Sequence, residues 1–113
     1  MVQNRNKLIN LFIGNISNSI VHEVLEKAAD NKELSNKYNK EILNSLNIAK
    51  RYRKKFNPIN SPLTDKDIKY IKTKIIKKVK AELLFRISKG YENIDLDLVE
   101  ELADKILKNT NVV

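Results

Sequence analysis

The sequence predicts an all-α protein: an elongated bundle of about four helices, two or three of them long and the last short and C-terminal. Three observations carry this. Apolar residues recur at intervals of three and four through most of the chain. The 113 residues include only 2 Gly and 2 Pro. The one dense cluster of turn residues is Asn57-Pro58-Ile59-Asn60-Ser61-Pro62-Leu63. The length suits a single domain, residues 1–113, built around one core.

The first helical segment extends from about Asn6 to Asp30. Leu8, Phe12, Ile16, Ile20, Val24 and Ala28 recur every four residues, and Ile9, Ile13, Val21 and Leu25 widen the stripe. Its middle, Gly14-Asn15-Ile16-Ser17-Asn18-Ser19, is poor in helix formers, so residues 6–30 read equally as one helix or as two meeting at a kink. A second segment, Glu33 to Phe56, shows Leu34, Tyr38, Ile42, Leu46, Ala49, Tyr52 and Phe56 on one face. Pro58 and Pro62 push the residues before them out of the helical region, which places a loop at 57–63. Thr64-Asp65-Lys66-Asp67 has the form of an acidic helix start. The third helix is then expected from Asp65 to about Lys89, with Ile68, Ile71, Ile75, Val79, Leu83 and Ile87 inward and Gly90 as its terminator. Asp95 or Asp97 is expected to cap a short fourth helix ending near Lys108, and Asn109 to Val113 to fray. Helices of about 24 residues are roughly 36 Å long, and the apolar arc of the first is wide; both suggest an elongated helical hairpin, or a homodimer that covers what the monomer leaves exposed.

The formal net charge is +8, and its placement matters more than its size. Between Lys50 and Lys80 there are 12 basic residues and only two acids, Asp65 and Asp67, whereas Glu92 to Asp104 holds 6 acids and no base. Such asymmetry is the footprint of a protein that meets phosphate. A/T-rich codon usage would inflate Lys as well as Asn and Ile, but it would not readily explain their clustering. On the third helix Lys66, Lys69, Lys74, Lys77 and Lys80 fall within about 140° opposite the Ile face. Just before the loop, Lys50-Arg51-Tyr52-Arg53-Lys54-Lys55-Phe56 mixes cations with aromatics. Arg51, Arg53, Lys54, Lys55, Lys66, Lys69, Lys74, Lys77 and Lys80 are therefore the candidate nucleic-acid-binding residues. The dominance of Lys points to backbone contact rather than base readout. The competing reading is bland: a solvated face on the third helix, and cations complementing the dipole at the end of the second.

Catalytic and metal signatures are missing from the sequence. It has no Cys and one His, His22, so it cannot supply a cysteine nucleophile or a two-His zinc site from one chain. Asn15, Asn18, Ser19 and His22 form a polar ridge that reads as a locally satisfied face. The run Glu92, Asp95, Asp97, Glu100, Glu101, Asp104 lacks the EF-hand spacing and reads as helix-terminal or Lys-paired charge. No stretch reads as a signal peptide or membrane span. The expectation is a non-catalytic cytoplasmic protein with no cofactor and no metal, which contacts RNA or DNA backbone. The alternative is a helical interaction or scaffolding module whose lysines serve only solubility.

Overall fold

The computed structural model describes residues 4–57 and 62–113. They form four helices: α1 (Arg5–Ala28), α2 (Lys32–Phe56), α3 (Asp65–Ser88) and α4 (Leu98–Asn109). No strand occurs among the described residues. Most of the expected loop between α2 and α3, residues 58–61, lies outside them.

The first segment is one continuous helix. Asn4 caps it by accepting the Asn6 N–H, and the helix passes through Gly14–Ser19 without a break. Three of the four small polar residues there are occupied rather than disruptive; the buried Ser17 hydroxyl has no hydrogen-bond partner among the described residues. Asn15 donates to the Leu11 carbonyl at 2.9 Å, Asn18 donates to Ser45 Oγ at 2.6 Å, and Ser19 donates to the Ile42 carbonyl at 3.3 Å. Short side chains that bond across to α2 do not compete for the backbone of α1. The helix is thereby held through a composition that propensity alone disfavours.

The wide apolar arc of α1 is used up inside the monomer. α2, α3 and α4 all pack against α1, and α3 also packs against α4. Leu8, Ile9, Phe12, Ile13, Ile16, Ile20, Val21, Val24 and Leu25 are all buried. They meet Ala49 and Phe56 of α2, Ile71, Ile75, Val79 and Leu83 of α3, and Val99, Leu102, Ala103, Ile106 and Leu107 of α4 in one core. A helix flanked on three sides needs a wider stripe than the roughly 100° of a surface helix. The arc therefore gives no support to a dimer.

Capping and pairing fix the directions. Asn31 accepts the Leu34 N–H at 2.8 Å and starts α2 only three residues after α1 ends, so the two helices run antiparallel. α3 runs parallel to α1: Arg5 pairs with Asp67 at 2.8 Å, and the Tyr70 hydroxyl donates to Asn10 at 3.0 Å. α4 returns antiparallel to α3, with Lys72 on Asp104 at 2.8 Å and Lys80 on Glu100 at 3.7 Å. The molecule measures 44 × 24 × 24 Å, with a radius of gyration of 14.5 Å. A compact chain of this length has about 13 Å, so the bundle is mildly elongated.

Thr64 caps α3 as expected by accepting the Asp67 N–H at 3.1 Å. The helix ends in a Schellman motif: Gly90, at φ 98°, donates to the Ile87 carbonyl, and Tyr91 donates to that of Arg86. The start of α4 departs from expectation. Asp97 holds the cap position without a side-chain hydrogen bond, and Asp95 instead accepts the Asp97 N–H at 3.0 Å in the preceding turn. Ile87 also departs: it is 40% exposed. Glu100, in the first turn of α4, lies level with Lys80, so the last turns of α3 run past the start of α4. The expected fraying at 109–113 is overturned as well. Asn111, at φ 61°, ends α4 in a second Schellman motif, with Val112 N–H on the Leu107 carbonyl at 2.9 Å. Val112 is buried, and the Thr110 hydroxyl bonds back to the Ile106 carbonyl at 2.9 Å.

Candidate nucleic-acid interface

The helix directions bring one terminus of each helix to the same end of the bundle. Arg5, at the start of α1, donates to the carbonyl of Phe56, at the end of α2, at 3.2 Å, and pairs with Asp67 at the start of α3. Arg53 near the end of α2 reaches Asn111 just beyond α4. This end gathers Arg5 and Lys7 from α1, Lys50, Arg51, Lys54 and Lys55 from α2, Lys66 and Lys69 from α3, and Lys105 and Lys108 from α4. The acids near them are Asp65, Asp67 and Asp104. The opposite end carries Glu23, Glu26, Asp30 and Glu33 at the α1–α2 turn, and Glu92, Asp95, Asp97, Glu100 and Glu101 around the α3–α4 turn. Lys27, Lys32, Arg86 and Lys89 lie at this end too, so what differs along the long axis is the net charge of the two ends.

The expected site residues do not share one fate. Arg51, Lys54, Lys55, Lys66 and Lys69 are exposed at the basic end. Lys74 and Lys77 are exposed farther along α3, and Lys80 is partly shielded beside Glu100. The acids of α4 leave most of this field intact. They take Lys80 and Lys72, whereas Lys69 and Lys77 have no ion-pair partner within 4 Å among the described residues. The Asp104 carboxylate hydrogen-bonds Lys72 and holds its ammonium above the ordinary range. Tyr52 is half-buried and Phe56 buried, so the aromatics of the basic run face the core and leave no platform for base stacking. Two of the cations lie over rings: Lys55 is 5.8 Å from the centroid of the half-buried Tyr52, and Lys74 the same distance from that of the exposed Tyr70.

Arg53 is a correction. It is 2% exposed and cannot meet a ligand. Its Nε and Nη2 donate to the Asn111 carbonyl at 3.1 and 2.7 Å, its Nη1 donates to the Asn57 carbonyl at 2.9 Å, and its guanidinium lies 5.2 Å from the Phe56 ring centroid. No carboxylate among the described residues pairs with it; the compensating charge is the negative dipole end of α2 and of α4. Burial pulls its pKa below the ordinary value, yet a guanidinium stays charged. The sequence carried a hint, because Arg53 falls on the same stripe as Ser45, Ala49 and Phe56.

Two groups of residues were missed. Lys105 and Lys108 add to the basic end only because α4 returns antiparallel to α3, a register that the sequence does not display. A cavity of about 220 Å³ also opens between α2 and the end of α4, lined by Lys50, Lys54, Asn109, Thr110 and Asn111 above the buried Arg53.

The polar ridge of α1 has structural partners, whereas the buried Ser17 hydroxyl beside it has no hydrogen-bond partner among the described residues. His22 Nδ1 lies 2.7 Å from the Asn18 carbonyl, and its ring centroid is 5.8 Å from that of Tyr38. With Asn18 and Ser19 it forms part of the seam between α1 and α2, whereas Asn15 bonds back within α1. No group of three or more His, Asp or Glu side chains among the described residues converges as a metal site would require. No helix among them is long and apolar enough to cross a membrane. Compared with protein-family models, with curated proteins and with solved structures, the chain matches none.

Proposed function

We propose that the protein binds the sugar-phosphate backbone of RNA or DNA through the basic end of the bundle, with Arg51, Lys54, Lys55, Lys66 and Lys69 as its principal contacts. The observation that carries this reading is the convergence of cations from all four helices at one end, with most acids at the other. Helix dipoles do not decide the field there, because two N-termini and two C-termini meet at that end. The side chains do. Lysines on rigid helices, few of them paired, neutralise phosphate by releasing condensed counterions. The inward Tyr52 and Phe56 argue against base stacking, so the contact is one of charge and shape. The cavity beside Lys50 and Lys54 would seat one phosphate between two ammoniums and the Asn109 and Asn111 amides.

The test is fluorescence anisotropy with a labelled RNA hairpin and a DNA duplex. Neutralising about six phosphates weakens duplex binding by roughly a thousandfold between 50 and 200 mM salt. Arg51→Glu with Lys54→Glu should weaken binding and flatten the salt slope by about two. Absence of binding to both probes at 50 mM salt overturns the proposal.

A further inference from the structure

Among the described residues, the Ser17 hydroxyl is the one buried side-chain polar atom without a hydrogen-bond partner. The residue is 6% exposed and sits in the middle of α1. An unpaired polar group in a core costs stability, as does a glycine inside a helix. Gly14, one turn earlier, is such a glycine, and packing does not require it: a Cβ there would meet no atom within 4 Å. Both residues line the same cavity, of about 360 Å³, between α1 and α3. Asn18 and Val21 complete its α1 side, and Lys78, Glu82 and Arg86 form the α3 side. Two unfavourable choices that meet at one cavity mark a site kept for something other than the fold.

The charges around the cavity say what would fill it. Because α3 runs parallel to α1, Lys78 stands beside Gly14 and Ser17, and Arg86 nearer Val21. Arg86 donates to Glu82 at 3.2 Å and to the Tyr91 hydroxyl at 3.4 Å, which fixes its position and neutralises Glu82. Lys78 has no ion-pair partner within 4 Å among the described residues, so its charge is the uncompensated one. We propose that this cavity binds a small phosphorylated molecule with a hydroxyl-bearing body, of the sugar-phosphate class. Its phosphate would lie against the bare backbone of Gly14, between the Lys78 ammonium and the Ser17 hydroxyl. That hydroxyl makes no hydrogen bond, so rotating it about χ1 towards the phosphate breaks none. The Glu82–Arg86 pair offers acceptors and donors to hydroxyl groups at the other end. No aromatic ring among the described residues lines the cavity, so a nucleobase has nothing to stack on. A bare phosphate ion would leave most of the volume unfilled. The cavity lies in mid-bundle, away from Arg51, Lys54 and Lys55, so the proposal stands or falls independently of nucleic-acid binding.

Amide chemical shifts of the full chain, followed by NMR during titration with ribose 5-phosphate and glucose 6-phosphate, test the proposal. At least one should move the signals of Gly14, Ser17 and Lys78 at millimolar concentration, binding more tightly than inorganic phosphate and with no response to glucose. Lys78→Gln should weaken binding at least about tenfold. Lys77→Glu, one residue away, exposed and outside the cavity, should weaken it less than about twofold. Gly14→Ala and Ser17→Ala supply a readout that a purely structural role would not give. Each should leave the unliganded chain at least as stable as the parent in thermal melting, yet weaken binding several-fold. Silence of both sugar phosphates overturns the proposal. So does binding indifferent to Gly14→Ala and Ser17→Ala, or weakened as much by Lys77→Glu as by Lys78→Gln. Inorganic phosphate bound as tightly as the esters overturns it too, because the cavity would then recognise no body beyond the anion.

Discussion

Replacing Arg53 by Met separates a structural cation from the functional ones around it. Met keeps much of the stem volume and removes the charge. Three N–H donations to two carbonyls vanish, those of Asn57 and Asn111. Hydrogen bonds from a charged donor contribute about 1.5–3 kcal/mol each, so two carbonyl contacts are worth roughly 3–6 kcal/mol. Two effects oppose this loss. The buried guanidinium no longer has to be desolvated, and carbonyls at exposed helix ends rehydrate. We expect a net destabilisation of about 2 kcal/mol. A chain of this length unfolds with an entropy of about 0.24 kcal/mol/K, so the melting temperature should fall by about 8 °C. Far-UV circular dichroism measures it, and hydrogen exchange should show the loss of protection concentrated in the last turn of α4. Arg51→Met, two residues away and exposed, should stay within about 0.5 kcal/mol of the parent while weakening nucleic-acid binding. A melting temperature for Arg53→Met at or above that of the parent would mean that desolvation outweighs the bonds. The clamp between α2 and α4 would then not hold the bundle together.

Two further outcomes follow from local structure. Gly14 sits inside α1, and a Cβ there would meet nothing within 4 Å, so Gly14→Ala should raise stability by up to about 1 kcal/mol in urea unfolding. Asp67 is held below the ordinary carboxylate value of 3.8, first by its hydrogen bond from Arg5. A depressed folded-state pKa contributes stability that is present above the unfolded value and is lost as pH falls through the folded one. Asp67→Asn should therefore be less stable than the parent at pH 7, by no more than about 1 kcal/mol because the pair is half-exposed, with the difference closing as pH falls below the ordinary carboxylate value of 3.8 and through the lowered one.

The helices could be read from the sequence because their signals are local. Thr64 before two acids and Gly90 after Lys89 mark the ends of α3 by side-chain chemistry that needs no partner from elsewhere. The continuity of α1 was not readable. Gly14 to Ser19 argue for a break until Ser45 and the Ile42 carbonyl on α2 are known to receive them. The wide stripe of α1 was legible as a stripe but not as a count of neighbours, since an apolar face looks the same whether its cover comes from the same chain or another. Arg53 shows the same limit at the site. In Lys50–Phe56 it reads as one cation among several, and only the carbonyl of Asn111, 58 positions later, reveals that it points inward. The Schellman turn at Asn111 was hidden too, because a left-handed Asn leaves no mark in a sequence where Asn is so common. Most of the basic end was visible residue by residue, but its assembly from four helices was not.

The central position of α1 bears on how such a chain can diverge. A helix touched on three sides has almost no surface on which substitution is free. α2, which packs on α1 alone among the helices, exposes most of its circumference. Homologous chains should therefore differ least along Leu8 to Leu25 and most along the outer face of α2. A comparison weighted to α1 would then detect distant kinship after the basic residues have drifted beyond recognition, and the fold would outlast its charge pattern.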